Sequence, residues 1–440
     1  MPRGAPTRAE LGTGAVYRRL ARNSAWLAGG TAASALFMML AVVLSARALS
    51  AREFGVLVLF QSATSMVAAL MSFSTQQPVI KLGHSAQADG DVEQLGRIIG
   101  LGLLIDTSAS CVAMLGAFAF LAVGQDWIGL PQEEIRFAAL FAGALLFTGY
   151  ITSNGIFRLL NRFDLLSLIQ AGCAAALLAA CAYLYASGAP FEAYCWAWAI
   201  FYAFSSQVPL WTGVYLTRRA GIPISLSIGR MGRTQIRTFL TYCWTTWGVA
   251  TVEALRSNGD SLLVGGAVSV EAAGVYNVAK QLAGVLRKLN TVYASAAFPE
   301  ISALSAHGEH EGAARVRRRM LWVGALIGGL AVLAALVVGR FVLASLFGPH
   351  FEAAYVPLAI LTAAAGAQLI SHTLSMYVQV YVSPEKLFYA YVAAIAVFAI
   401  VVLPLTSALS IAGTAIAQLL FTLALIAFCQ IALRSAPHAA

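Results

Sequence analysis

Six ionisable residues stand inside apolar runs between positions 253 and 288: Glu253, Arg256, Asp260, Lys280, Arg287 and Lys288. Two carboxylates and four cations so close together can neutralise one another, hold an ion, or offer ammonium and guanidinium donors to an anion. Their spacing is informative. Glu253 and Asp260 are seven residues apart, as are Lys280 and Arg287, so each of these twosomes shares one face of a helix. Between them "GAVSVEAAG", residues 266 to 274, reads as a tight turn. With residue 270 as its centre, Asp260 and Lys280 are each ten residues away, and Glu253 and Arg287 each seventeen. In an antiparallel helix pair these positions match in depth, roughly 15 Å and roughly 25 Å from the turn at about 1.5 Å rise per residue. The scheme predicts ion pairs Asp260–Lys280 and Glu253–Arg287, and it leaves Arg256 and Lys288 without a partner. The pairs could serve only to pin one helix to the next, and Lys288 could snorkel to the interface.

Other candidates are weaker. Asp106, with Thr107, Ser108 and Ser110 beside it, could take a coupling proton or sodium ion, or could belong to a local hydrogen-bonded patch. His372 reads as a satisfied interior histidine. His307 and His310 have a metal-like spacing but sit in a segment of Ala and Glu and read as solvated, so no metal site is expected. Gly12 and Gly14 follow no strand and make no phosphate loop. No nucleophile with an adjacent base stands on a loop, and the loops are too short for a catalytic domain. Neither an enzyme nor a cofactor is expected.

These residues must be positioned by something other than a water-soluble fold. Of 440 residues 60% are hydrophobic and only 11% charged, with a mean hydropathy of +0.78. Such a chain is a polytopic helical membrane protein, all-α, because spans of about 20 apolar residues cross the roughly 30 Å hydrocarbon layer as helices. Twelve spans are predicted, near 24–46, 54–75, 98–123, 137–157, 164–186, 193–216, 238–268, 272–299, 320–342, 355–378, 387–405 and 412–433. With the N-terminus inside, the inside segments hold 20 of the 28 Lys and Arg, the outside loops hold Arg47, Arg52, Arg136 and Arg340, and four lie within spans. That bias places both termini in the cytoplasm. Trp26, Trp127 and Trp322 fall at span ends as interfacial anchors. Cys111, Cys173, Cys181, Cys195, Cys243 and Cys429 all lie in apolar runs, which points to packing. The net charge of +9 follows from the same inside bias and from anionic phospholipid contact, without any need for nucleic acid.

The chain also repeats itself. Ser50, Gly55 and Val56 correspond to Ser269, Gly274 and Val275 at an offset of 219, and Gly129 to Gly348 at the same offset. The first two sets mark tight outside turns, after span 1 and after span 7. Two parallel six-helix repeats follow, an N-lobe at 1–216 and a C-lobe at 238–440, packed around a central cavity. The segment 217–237 carries five Arg and no acid, and reads as a cytoplasmic linker on the anionic membrane surface.

Four motifs, "LSAREFGV" at 49–56, "VSVEAAGVYNVAKQL" at 268–282 with Asp260 upstream, "FPEISAL" at 298–304 and "LFGPHFEAA" at 346–354, give a family resemblance. In order and spacing they resemble the oligosaccharide flippase family of polysaccharide biosynthesis proteins, within the multidrug/oligosaccharidyl-lipid/polysaccharide exporter superfamily. The resemblance implies two lobes around a cationic cavity in the bacterial inner membrane. It implies a lipid-linked oligosaccharide substrate, flipped from inner to outer leaflet by alternating access for O-antigen, lipopolysaccharide or other polysaccharide. Polysaccharide assembly proteins are the implied partners. On that basis Arg256 and Lys288, with Lys280 and Arg287, are expected to meet the substrate pyrophosphate, while Glu253 and Asp260 compensate charge. A multidrug and toxic compound extrusion antiporter is the alternative; such proteins commonly carry an acid in span 1, and Ser24 to Ala46 has none. A polymerase or glycosyltransferase would need a large catalytic loop or domain.

The charge bias makes one expectation directly measurable. A cysteine placed at Ala189 should react with an impermeant maleimide from outside the cell, and one at Ala313 only after permeabilisation; the reverse labelling would invert the topology.

Overall fold

The computed structural model describes residues 13–123, 131–226, 231–287 and 310–435, and all regular structure among them is helical. In chain order the helices are α1 (Thr13–Ala48), α2 (Ala51–Met71), α3 (Gln76–Ala88), α4 (Val92–Val123) and α5 (Gln132–Ala144). The first half closes with α6 (Thr152–Leu159), α7 (Phe163–Ser187) and α8 (Phe191–Arg219). The second half holds α9 (Arg233–Ala267), α10 (270–287), α11 (His310–Leu346), α12 (Tyr355–Tyr381), α13 (Pro384–Leu409) and α14 (Ile411–Arg434). Eleven of the twelve expected spans lie wholly among the described residues and are mainly helical; of the span expected near 272–299, residues 272–287 are described, and these are helical. Nine candidate spans among the described residues are apolar and long enough to cross a membrane by composition alone. The helices outside that set are the short α3, the more polar α8 and α9, and the short described part of α10. Lys288, Trp127, Gly129, His307 and the "FPEISAL" motif lie outside the described residues.

Two expectations are corrected. Span 2 does not reach residue 75: α2 stops at Met71, Ser74 takes a positive φ of 49°, and the segment between expected spans 2 and 3 carries α3. Span 4 is not continuous either, since α5 gives way to a 3-10 turn at Leu145–Phe147 and the chain re-enters helix only at Thr152. Gly149, at φ 82°, makes that break possible, because only a residue without Cβ adopts this backbone without strain.

Both tight turns form. Ser50 caps α2, its Oγ accepting from the Glu53 amide at 3.3 Å while the Glu53 carboxylate accepts from the Ser50 amide at 2.9 Å. Ser269, its offset mate, accepts from the Ala272 amide at 3.1 Å in the same way. The two turns meet. Gly55 lies against the Val270 carbonyl, and a Cβ on Gly274 would stand 3.2 Å from the Gly55 Cα. Both turns therefore sit at one end of the molecule. A core drawn from both halves seals that end, including Phe54, Val56, Trp198, Tyr276, Phe347 and Phe351, with Phe54 edge-on to Phe351 at 5.7 Å.

At the opposite end the chain leaving α8 packs across α4 where Gly96 and Gly100 leave room for it, the Ser225 amide donating to the Gly96 carbonyl at 3.3 Å. Part of the stretch 217–237 is thus bound to protein rather than laid on the membrane, and α9 begins at Arg233. Helix α9 joins the halves, packing on α2 and α3 as well as on α13 and α14.

Overpacking a close contact costs about 1–3 kcal/mol. Gly55→Val should therefore lower the unfolding temperature of the detergent-solubilised protein, whereas Gly29→Val, whose Cβ would meet nothing within 4 Å, should leave it unchanged or slightly raised.

Candidate functional site

The charged residues of α9 and α10 converge with α12 and α14. Asp260, 2% exposed, is the centre. One of its oxygens accepts from Lys280 Nζ at 2.6 Å and the other from the Tyr276 hydroxyl at 3.0 Å and Gln418 Nε2 at 3.1 Å. Lys280 also donates to the Ser257 carbonyl and to Ser261 Oγ at 3.1 Å. The depth argument thus finds its first pair, Asp260–Lys280.

The second pair does not form. Glu253 pairs with Arg256, one turn away on the same helix, and not with Arg287. Arg256 is consequently not the unpartnered cation expected: it is 4% exposed, donates to Glu253 and to Gln418 Oε1, and lies over the Phe421 ring at 4.8 Å. Depth matching fixes the level of a side chain but not its azimuth, and an i,i+3 neighbour needs no particular rotation of a second helix. Arg287 instead folds along α10, its Nη2 3.4 Å from the Lys280 carbonyl, and among the described residues it has no carboxylate partner.

Gln418, Tyr276, Gln368 and Phe421 complete the site and were not anticipated. The available signal was Gln418, an amide well inside span 12, since a buried amide needs partners. Arg256, Asp260, Lys280, Arg287, Gln368 and Gln418 line a space of about 20 Å³. That volume suits one water and not a phosphate group. The cluster is a closed polar knot with three cations around Asp260 and the half-exposed Glu253.

Asp106 lies elsewhere, on α4. Its oxygens accept from Thr75 Oγ1 at 2.7 Å and from the Thr152 amide at 2.8 Å; Thr152 Oγ1 donates to Thr75 Oγ1 at 2.9 Å, and Ser110 Oγ donates to the Thr148 carbonyl at 2.6 Å. Asp106 is 3% exposed and joins the two helix breaks, at 72–75 and 145–151. His372 is half-buried on α12.

Residues 20–305, well over half the chain, match the family model described as polysaccharide biosynthesis protein. A protein of Escherichia coli (strain K12) named inner membrane protein YghQ is 25% identical over 353 residues, 77% of this chain and 95% of that one. Among solved structures, an inward-facing multidrug resistance MATE family transporter of the MOP superfamily aligns with a TM-score of 0.71 at 12% identity, covering 90% of this chain and 92% of that one. The lipid II flippase MurJ, in an inward closed conformation, aligns with a TM-score of 0.69 at 12% identity over 93% and 88%. These structural likenesses establish a shared fold.

Breaking a buried ion pair costs about 3–5 kcal/mol because the surviving charge is stranded, whereas removing both charges costs far less. Lys280→Met should accordingly destabilise the protein by that amount, and adding Asp260→Asn to it should restore most of the loss, both read from unfolding temperatures in detergent. Equal destabilisation in the single and double variants would mean that the pair is not coupled.

Proposed function

We propose, from the premise that this chain belongs to the polysaccharide biosynthesis protein family, that it moves polyprenyl-pyrophosphate-linked oligosaccharide units across the bacterial inner membrane, from the inner to the outer leaflet. The units are those assembled into O-antigen, lipopolysaccharide or related surface polysaccharide. Both termini are cytoplasmic, and an N-lobe (1–216) and a C-lobe (238–440), joined by 217–237, rock about the Gly55–Gly274 contact.

One observation carries the reading. The membrane-embedded part of the second half holds Arg256, Lys280 and Arg287 against Asp260 and the half-exposed Glu253, an excess of positive charge in a medium where charge is costly. Such an excess suits a substrate with anionic oxygens. Arg287 is the lead phosphate contact, because Arg256 and Lys280 are already committed to carboxylates, and it takes that role in a more open state than this one, in which the adjoining space admits only a water; Lys288 shares the role. Asp106 holds the helix breaks of the N-lobe. A coupling proton or sodium ion at Asp106 is the other role open to it, and Asp106→Asn, which keeps an accepting oxygen, would then abolish ion dependence while sparing the fold.

The likeness in fold to a multidrug MATE transporter favours a second reading, a cation-coupled antiporter. Against it, Asp260 is already saturated by Lys280, Tyr276 and Gln418, and span 1 offers no acid.

Proteoliposomes separate the two. Wild type should translocate a fluorescent polyprenyl-pyrophosphate oligosaccharide, and Arg287→Gln should slow it about tenfold, the effect of roughly 1.4 kcal/mol, with an unchanged unfolding temperature. Expulsion of an organic cation driven by a sodium or proton gradient, without lipid translocation, would establish the rival instead.

A further inference from the structure

Where α9 begins, well away from Asp260, a groove of about 690 Å³ opens between the two halves. Phe73 and Ile105 line it from the first half; Arg233, Arg237, Leu240 and Trp244 line it from α9. The volume lies within the range of sites that hold small ligands, roughly 300–1,000 Å³. Its aromatic wall is braced: Phe73 stacks on Trp247 at 5.8 Å, Trp247 lies 5.0 Å from Trp244, and Trp247 Nε1 donates to the Leu70 carbonyl at 2.7 Å.

Among the described residues, the charged side chains lining this apolar groove are the two guanidiniums. Arg233 and Arg237 are exposed, stand one helical turn apart, and have no carboxylate partner among the described residues. The helix does nothing to offset them, for Gly232 provides no side-chain cap and the first turn of α9 holds no acid. Its positive dipole end adds to their charge. Lys81, the nearby cation on α3, is engaged with Tyr242, both as donor and over its ring.

We infer that this groove docks the polyprenyl pyrophosphate moiety of the substrate. Arg233 and Arg237, about 5–6 Å apart at Cβ as i,i+4 neighbours are, take one phosphate each through their planar forks. Phe73, Ile105, Leu240 and Trp244 take the first isoprene units. A phospholipid phosphodiester carries a single charge and would leave one guanidinium unanswered, whereas a pyrophosphate matches both. The inference rests on the reading that the substrate is linked through pyrophosphate, and it adds a docking site distinct from the Asp260 cluster.

The test uses the full chain in phosphatidylcholine nanodiscs, with C55 polyprenyl pyrophosphate as probe and native mass spectrometry counting bound lipid. The Arg233→Gln/Arg237→Gln variant should bind the probe at least tenfold more weakly than wild type, and Arg233→Lys/Arg237→Lys, which keeps charge but not the forks, severalfold more weakly. Phosphatidylglycerol at equal concentration should fail to displace the probe. Equal binding by wild type and both variants, or displacement by phosphatidylglycerol, would overturn the proposal, the latter identifying an annular phospholipid site. Transport distinguishes this failure from that of the parent reading. If wild type binds the probe in the groove but flips no sugar-linked lipid, the function fails and the groove stands; if the glutamine variant flips normally, the groove fails and the function stands.

Discussion

Hydrocarbon offers no hydrogen-bond partner to a bare peptide group and no solvation to a charge. Every polar departure from continuous apolar helix must therefore be answered inside the protein, and in this chain two aspartates supply most of the answers. Asp106 answers backbone: the breaks at 72–75 and 145–151 free peptide groups in the first half, and its carboxylate receives the Thr152 amide while holding Thr75. Asp260 answers side chains: it gathers Lys280, Tyr276 and Gln418 and lets three cations remain within the second half. The same constraint produces a bent, polar-hinged structure in one half and a charged knot in the other.

The two halves nevertheless share one frame. Gly55 touches Gly274, its own mate at the offset of 219, and a residue can touch its repeat mate only close to the axis that relates them. Around that point both halves contribute to one apolar core. The charges do not follow the repeat. At the offsets of Glu253, Arg256, Asp260, Lys280, Arg287 and Lys288 the first half has Ser34, Phe37, Ala41, Gln61, Ala68 and Ala69. The glycine contact, which a side chain would wedge apart, obeys the offset, while the charges of the second half have no charged residue at the matching positions of the first.

Much of this was legible before the structure, and the misses have physical causes. Apolar length and turn punctuation located the long helices among the described residues, the nine candidate spans with them, because a membrane leaves helix as the way for such segments to satisfy their backbone. The Asp260–Lys280 pair was legible from distance to a tight turn, which sets depth. Glu253–Arg287 was not, because depth says nothing of rotation about the helix axis, and Arg256 offered Glu253 a nearer partner on its own helix. The break in span 4 escaped because "LLFTGYITSNG" remains apolar enough to pass for helix; Gly149 was the only sign, and glycine is common throughout this chain. The groove was illegible for another reason: Arg233 and Arg237 could be read as basic linker residues until the fold brought Phe73 and Ile105 against α9.

The placement of the two polar regions bears on how binding could move the halves. A ligand shifts a conformational equilibrium only by the difference in its affinity for the two states. The Asp260 cluster is assembled from α9, α10, α12 and α14, all in the second half, so a rigid rotation of one half against the other leaves its internal contacts unaltered. The groove is assembled from both halves, with Phe73 and Ile105 facing Arg233, Arg237 and Trp244, and the same rotation must change its shape. Helix α9 is the element common to both regions. An anion held at its start would accordingly bias the arrangement of the halves, while the buried Arg256 farther along it, with Lys280 and Arg287 on α10, keeps its place within the second half.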